Sequence, residues 1–297
     1  MEPRAGFVTD GAVRLHVREV GEGPAIVVLH GGPDFDFEYL VPELDALAGR
    51  CRVVYYDQRG RGRSADGVRA GDVTIESELD DLERVRRHLG LESVAVLGHS
   101  WGGVLAMEYA TRHPDRLSHL LLMNTGPASH EDLRTFRRHL ERIRPPGDLE
   151  RMRSLAATPE FTAGDLDAES AYYRLHFRPT LPAPELLDRL VPRLRAHFTP
   201  ERVLVARAIE DRLYEQTWAS PTYDLLPALR RLTVPTLVLH AEHDLVPVEV
   251  AARIAGAIPG ARLVVLPGRG HFAYLEAPDT VARHITDLVT RAGPRGA

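Results

Sequence analysis

The amino-acid sequence predicts an α/β protein with a mostly parallel central sheet and flanking helices. Three observations support this fold class: short apolar runs recur along the chain, helical periods separate them, and two of the runs end abruptly at a glycine. Nearly continuous apolar runs are typical of strands buried on both faces of a sheet. Strands that alternate with helices along a chain form α/β architectures, so the pattern favours a sheet covered by helices.

The predicted strands begin with a hairpin. Residues 7–21 alternate apolar and polar side chains on either side of Asp10-Gly11, a pair that favours a tight turn. Buried strands are then predicted at residues 25–30, 52–57, 93–100, 117–125, 234–244 and 261–272. A helical pattern follows each of the last two strands, and Pro247 suits the first turn of one of these helices.

Helical periodicity dominates two other regions. In residues 75–89 apolar side chains recur every three or four residues, Thr74 can cap the first turn, and Gly90 ends the pattern. Strand-like runs are absent from residues 126–230, where helical periods rich in arginine and proline take their place. The sequence therefore predicts a helical segment inserted after the fourth buried strand.

This insertion divides the chain into three predicted parts. Residues 1–125 form the first part of an α/β core, residues 126–230 form a helical cap, and residues 231–297 complete the core. The length of 297 residues suits one such domain with an insertion.

The composition excludes several kinds of chemistry. All 37 basic residues are arginine, which rules out Schiff-base catalysis and the lysine-dependent phosphate loop. The single cysteine, Cys51, excludes an intramolecular disulfide and a cysteine-rich zinc site. We interpret it as a small buried hydrophobic residue and expect neither a metal nor a cofactor.

Charge and hydropathy bear on partners and location. The net charge of −5 is spread along the chain with no basic block, so we expect no nucleic-acid partner. The N-terminus lacks the apolar segment of a signal peptide, and no run reaches the ~18 apolar residues of a membrane span. We therefore expect a soluble, cytoplasmic protein without a membrane contact.

The stretch GHSWG, at residues 98–102, is the first candidate for catalysis. It matches the pattern G-x-S-x-G and lies between a predicted strand and a helix, which is the context of a nucleophile elbow. In such a turn the serine hydroxyl stands above the sheet, and side chains at 98 and 102 would clash with the neighbouring strand or helix. Ser100 is therefore the predicted nucleophile, while the alternative is an ordinary turn serine.

A glycine turn at residues 30–33, HGGP, follows the strand at 25–30. A turn of this kind can aim a backbone N–H at a developing oxyanion, and the amide directly after the nucleophile is the usual second donor. We therefore predict that Gly32 and Trp101 form the oxyanion hole and that Gly31 lies against the substrate. The alternative is that both glycines only permit a tight turn.

Two later strand ends supply a candidate acid and base. Asp244 ends one predicted strand, and His271 lies just beyond the next. His271 would take the proton of Ser100, and Asp244 would orient the imidazole and stabilise its cation. Glu242 is a rival acid, but the position at the strand end favours Asp244. Of the 14 histidines, four others are expected to be packing or surface residues: His99, His113, His119 and His139.

Together these motifs resemble α/β-hydrolase fold proteins and, within them, the proline iminopeptidase group of serine aminopeptidases. The matching stretches are HGGP at 30–33, DQRGRGRS at 57–64, GHSWGG at 98–103, HAEHDLVP at 240–247 and GRGHF at 268–272. The order serine, aspartate, histidine, with the insertion between the first two, also matches. Two positions depart from the family's usual glycine, namely Asp34 after HGGP and His99 before the serine.

The resemblance implies release of an N-terminal residue, often proline, so the expected partner is a small peptide, amide or ester. A carboxylate is the natural partner of the free, positively charged amine of such a substrate. Residues 206–215, ARAIEDRLYE, are similar to the family's cap helix that carries this glutamate, which makes Glu210 the first candidate and Glu215 the second. The other interpretation is that both side chains are merely solvated or paired with arginine.

Two alternatives to an aminopeptidase stay open at this point. A carboxylesterase, lactonase or carbon–carbon hydrolase would use the same serine, because the fold and the triad do not determine the acyl group. A non-catalytic ligand-binding protein of the same fold is the second alternative. Reaction of Ser100 with a serine-directed probe would distinguish it from an enzyme.

Overall fold

A central sheet runs through the computed structural model, which describes residues 2–181 and 183–290. The strands are β1 (Arg4–Asp10), β2 (Val13–Val20), β3 (Ala25–Leu29), β4 (Arg52–Tyr56), β5 (Val94–His99), β6 (Leu117–Met123), β7 (Thr236–His243) and β8 (Arg262–Gly270). They pair in the spatial order β1-β2-β4-β3-β5-β6-β7-β8. Strands β1 and β2 form the predicted hairpin, with Gly11 of its turn at a φ of +59°.

The sheet is mostly parallel, as the sequence predicts. Strand β2 pairs antiparallel with β4, while every neighbouring pair from β4 through β3 to β8 is parallel. The carboxyl ends of these parallel strands therefore meet at one edge of the sheet, where the loops after β3, β5, β6, β7 and β8 converge. Ligands of open α/β sheets bind at this edge.

The helices lie on both faces of the sheet and in the interval between β6 and β7. They are α1 (Ile75–His88), α2 (Trp101–Arg112), α3 (His130–Ile143), α4 (Asp148–Ala156), α5 (Pro159–Thr162), α6 (Leu166–Phe177), α7 (Pro184–Leu190), α8 (Pro200–Gln216), α9 (Leu226–Leu229), α10 (Val248–Ala257), α11 (Ala273–Glu276) and α12 (Pro278–Val289). None of the helices that the structure describes is long and apolar enough to cross a membrane.

The core forms two layers because successive residues of a strand point to opposite faces. On β3, Val27 and Leu29 pack into the layer that α1, α2 and α10 cover. Ile26 and Val28 pack into the other layer, which α12 covers. Burial on both faces explains why the sequences of β3 to β7 read as apolar runs rather than alternating patterns. The prediction of a buried strand at 261–272 is wrong in this respect, because β8 lies at the edge of the sheet and is largely exposed. Cys51, directly before β4, is fully buried, as predicted.

Local signals for the helices are mostly confirmed. Thr74 caps α1, and its side chain accepts a hydrogen bond from the Ser77 amide. Pro247 differs slightly from its prediction, because it lies at the N-cap of α10 and the first turn begins at Val248. Residues 126–230 contain α3 to α9, and their only strand-like pairing within the described chain is a single bridge between Ser129 and Asp224.

Candidate active site

Ser100 lies in a strained turn between β5 and α2. Its backbone has a φ of 55° and a ψ of −119°, a conformation that residues with side chains rarely adopt. Backbone hydrogen bonds hold the turn: the Ser100 amide donates to the Met123 carbonyl (3.2 Å), and the Ser100 carbonyl accepts from Gly103 and Gly126 (2.9 Å each). This is the geometry expected for a nucleophile elbow.

The glycines around Ser100 are required by close backbone packing. A Cβ at Gly98 would lie 2.2 Å from the Gly102 carbonyl oxygen, and one at Gly102 would lie 2.1 Å from the Leu29 carbonyl oxygen. Both distances are far inside van der Waals contact, and the atoms approached belong to backbone. The elbow therefore packs against β3 and its own helix at distances that only glycine permits, as the sequence predicts.

The structure brings Ser100, His271 and Asp244 together from three strand ends. His271 Nε2 lies 3.0 Å from Ser100 Oγ, and His271 Nδ1 lies 2.7 Å from Asp244 Oδ1. Both distances are within hydrogen-bond range. The rival carboxylate, Glu242, is exposed and accepts a hydrogen bond from the Gly268 amide instead.

Asp244 is held as an anion in a buried position. Burial alone would raise its pKa, but the charges of His271 and His240 and hydrogen bonds from His271 and Asn124 hold that pKa below its usual range. The Val246 amide also donates to Asp244 Oδ1, at 3.0 Å. An ionised carboxylate that accepts the Nδ1–H of His271 leaves Nε2 free to accept the Ser100 proton.

The predicted oxyanion donors lie at the same cavity as Ser100. Gly32 and Trp101 both line it, and the first amides of a helix such as α2 have no acceptor within the helix. Gly31, which the sequence predicts to lie against the substrate, is not among the residues that line the cavity, and its amide donates to the Tyr39 hydroxyl at 2.8 Å. The amide of Gly31 is thus already used within the protein.

The cavity has a volume of about 240 Å³, smaller than the ~300–1,000 Å³ of typical small-molecule sites. Its wall is mainly aromatic. The aromatic residues of the lining, apart from histidine, are Phe35, Tyr39, Trp101, Phe136, Tyr172, Tyr173, Phe177, Trp218 and Phe272. Such a wall suits a short, largely apolar group next to Ser100.

The two candidate amine anchors differ in position. Glu210, on α8, lines the cavity, whereas Glu215 is exposed and lies outside the lining. In residues 2–181 and 183–290, no side chain or amide donates a hydrogen bond to the Glu210 carboxylate. Burial, and then the nearby charge of Asp34, raise its pKa well above the usual range.

A charged cluster, which we call the Arg195 network, lies behind Glu210 and consists of Asp34, Glu169, Tyr173, Arg195 and Arg207. Arg195 donates to the carboxylate and carbonyl of Asp34, and its Nε donates to Glu169 at 2.8 Å. Arg207 also pairs with Glu169, and the Tyr173 hydroxyl donates to Asp34 at 3.0 Å. The two guanidinium groups balance the two carboxylates, and neither of them forms an ion pair with Glu210.

Sequence reasoning missed several residues of the site. Asn124, directly after β6, donates to Asp244, and its place at a strand end was an available signal. Asp34 was noted only as a departure from the family pattern, and Tyr173, which contacts it, had no local signal. His99, expected to be an ordinary packing residue, is buried with both ring nitrogens hydrogen-bonded.

Comparison with known protein families places this geometry in context. A family model described as alpha/beta hydrolase fold matches residues 24–278. The proline iminopeptidase of Saccharolobus solfataricus is 30% identical to the chain over 283 residues, covering 92% of this chain and 86% of that protein.

Two solved structures are similar over nearly their whole length. The proline iminopeptidase of Mycobacterium smegmatis has a TM-score of 0.72 at 26% identity, covering 96% of this chain and 97% of that one. A thermophilic esterase from Thermogutta terrifontis has a TM-score of 0.64 at 28% identity, with coverage of 96% and 97%. The fold is therefore shared with one protein described as a proline iminopeptidase and with another described as an esterase.

Proposed function

The chain belongs to the α/β-hydrolase fold family, and on this premise we propose that it is a serine hydrolase that acts through an acyl-enzyme on Ser100. The hydrogen bonds from Ser100 to His271 and from His271 to Asp244 support this assignment. Nucleophile, base and orienting acid in series are the arrangement that activates a serine hydroxyl.

The chemistry follows from these contacts. Ser100 Oγ attacks the substrate's carbonyl carbon while its proton passes to His271 Nε2, and the amides of Gly32 and Trp101 stabilise the resulting oxyanion. The tetrahedral intermediate collapses, and the leaving group departs with the proton from His271. Water then attacks the acyl-enzyme while His271 accepts its proton. The second tetrahedral intermediate collapses, the bond from Ser100 Oγ to the acyl carbon breaks, His271 returns the proton to Oγ, and the acid product leaves.

We propose that the substrate is a short peptide or amide with a free N-terminal residue, of which proline is an example. The observation that carries this proposal is the unpaired carboxylate of Glu210 in the same small aromatic cavity as Ser100. A substrate ammonium beside Glu210 would supply the missing cation and fix the first carbonyl near the nucleophile. Similarity to proline iminopeptidases over most of the chain supports the same substrate class.

Residues 126–230 form the helical interval between β6 and β7. We propose that this interval is a cap over the sheet edge, between the two parts of the core at 1–125 and 231–297. Helices α6 and α8 of the interval contribute Tyr173 and Glu210 to the cavity. Specificity would then be determined in the cap, while the reacting groups belong to the core.

The test compares prolyl p-nitroanilide, N-acetylprolyl p-nitroanilide and p-nitrophenyl acetate as substrates. We expect the free-amine anilide to be cleaved and the acetylated one to be resistant, because acetylation removes the charge that Glu210 binds. Glu210→Gln should lower kcat/KM for the free-amine substrate by about 10- to 100-fold, the value of a charge-assisted hydrogen bond. The same substitution should leave hydrolysis of p-nitrophenyl acetate nearly unchanged.

Two variants control this experiment. Glu215→Gln changes an exposed carboxylate on the same helix and should retain the wild-type preference. Ser100→Ala removes the nucleophile and should be inactive on all three substrates. Equal cleavage of the free and acetylated anilides would overturn the aminopeptidase proposal.

A carboxylesterase is the second candidate function. Its support is the similarity to the thermophilic esterase and the raised pKa of Glu210, since a protonated glutamic acid and aromatic walls suit a neutral acyl group. Rapid hydrolysis of p-nitrophenyl acetate, with both anilides resistant, would favour this candidate.

A further inference from the structure

His99, the residue before the nucleophile, contacts two other loops of the site. Its Nε2 lies 3.0 Å from the carbonyl oxygen of His271, and its Nδ1 lies 2.7 Å from the Tyr39 hydroxyl. That hydroxyl in turn lies 2.8 Å from the amide of Gly31, next to the candidate oxyanion donor. The buried side chain at the end of β5 thus connects the loops after β3 and β8.

The direction of each hydrogen bond can be assigned. The His271 carbonyl can only accept, so His99 Nε2 carries the proton. The Gly31 amide can only donate, so the Tyr39 oxygen accepts from it and directs its own O–H toward His99 Nδ1. With a neutral His99, every donor and acceptor in this series of three hydrogen bonds has a partner. Burial first, and then the charge of His271, lower the pKa of His99 to about 3, so the ring is neutral at physiological pH.

The backbone of His271 is held on both sides. Its amide donates to Thr180 Oγ1 at 2.6 Å, and its carbonyl accepts from His99. The rings of His99 and His271 are 5.0 Å apart between centroids. A protonated His99 would repel the imidazolium that His271 forms when it accepts the Ser100 proton, whereas a neutral ring does not.

We propose that His99 is a positioning residue: with Tyr39, it couples the loop that carries His271 to the Gly31–Gly32 loop on the opposite side of Ser100. The base and the oxyanion donor are thereby fixed relative to the nucleophile by one hydrogen-bonded chain. This inference rests on the proposed serine hydrolase function, and it assigns neither His99 nor Tyr39 a contact with the reacting atoms.

The experiment measures inactivation of the wild type, Tyr39→Phe and His99→Gln by a fluorophosphonate, which reacts with the activated serine. Tyr39→Phe removes one hydroxyl, and His99→Gln replaces the rigid ring, whose two nitrogens face Tyr39 and His271, with a flexible amide. We expect each variant to lower the maximal inactivation rate by about 10- to 100-fold, as small misplacements of reacting groups do. The half-saturating probe concentration should change little, because the cavity wall is retained.

Tyr55→Phe is the matched control, because it also removes a buried tyrosine hydroxyl that is hydrogen-bonded, in this case to Asp45. Melting temperatures should fall similarly in Tyr39→Phe and Tyr55→Phe, but only the former should slow inactivation. Equal inactivation rates in all folded variants would overturn the role of His99. A wild type that does not react would instead refute the proposed function itself.

A measurement on the wild-type protein decides the question if His99→Gln fails to fold. Nitrogen-15 NMR of the histidine rings distinguishes the two neutral tautomers. We expect the proton of His99 on Nε2 and no titration of its ring between about pH 5 and 8, where an unperturbed histidine titrates. A proton on Nδ1, or titration in this range, would overturn the proposed coupling.

Discussion

Glu210 differs from Asp34 and Glu169, because no arginine or histidine of residues 2–181 and 183–290 forms an ion pair with its carboxylate. Asp34 and Glu169 are balanced by Arg195 and Arg207, and the pKa of Glu210 is raised first by burial and then by Asp34. A carboxyl with a raised pKa is neutral below that pKa and anionic above it. Binding of an ammonium would therefore favour loss of the Glu210 proton.

This residue predicts a pH dependence that belongs to amine substrates alone. We expect kcat/KM for prolyl p-nitroanilide to rise with pH as Glu210 ionises, and to fall above about pH 8 as the substrate amine loses its charge. The measurement is a pH profile of kcat/KM for this substrate and for p-nitrophenyl acetate. The profile for the ester should show neither the rise from Glu210 nor the fall from the substrate amine. In Glu210→Gln, the rise of kcat/KM that distinguishes the anilide from the ester at acid pH should disappear. Coincident profiles in the wild type would contradict this role.

At the scale of elements, the turn between β5 and α2 depends on Gly98. We expect Gly98→Ala to destabilise the protein by about 1–3 kcal/mol, as overpacking does, because the new Cβ would meet backbone atoms of Gly102 and Gly103. Urea unfolding measures this loss, and fluorophosphonate labelling should show a slower reaction of Ser100.

A glycine in α10 provides the control for this substitution. A Cβ at Gly256 would meet no atom within 4 Å, and the residue is helical. Gly256→Ala should therefore leave stability unchanged or raise it by up to about 1 kcal/mol. If Gly98→Ala were equally harmless, the close packing of the elbow would not constrain the sequence.

The elements also explain which parts of the site could be predicted from sequence. Ser100 and Asp244 follow the buried strands β5 and β7, and His271 follows the apolar run of the edge strand β8. A parallel sheet brings such strand ends to one edge. Only the family resemblance ranks Glu210 before Glu215; the residues alone do not, because the choice depends on which face of α8 packs against the cavity. The contact of Tyr39 with His99 joins residues from distant loops and has no local signal in the sequence.

At the scale of the whole molecule, the Arg195 network ties the interval between β6 and β7 to the loop after β3. Arg195 is nearly fully buried, and its partners Asp34 and Glu169 lie in that loop and in α6. Removal of one member of a buried ion pair leaves uncompensated charge in the interior. The ion pairs of the network therefore stabilise the contact between the proposed cap and the core.

This connection predicts a large effect of one arginine on global stability. Arg195→Met should lower the free energy of unfolding by about 3–5 kcal/mol, because it leaves two buried carboxylates without their shared partner. Arg174→Met, which breaks the exposed pair with Asp188, should cost at most about 1 kcal/mol. Chemical denaturation of both variants tests the comparison, and similar losses would mean that the network does not anchor the interval.

The aromatic wall of the cavity has a spectroscopic consequence. The chain contains two tryptophans, and both Trp101 and Trp218 line the cavity, with ring centroids 5.2 Å apart. All tryptophan fluorescence of this protein therefore originates at the place where a substrate would bind. Occupancy of the cavity can be followed through intrinsic emission, in the wild-type chain and without any attached label.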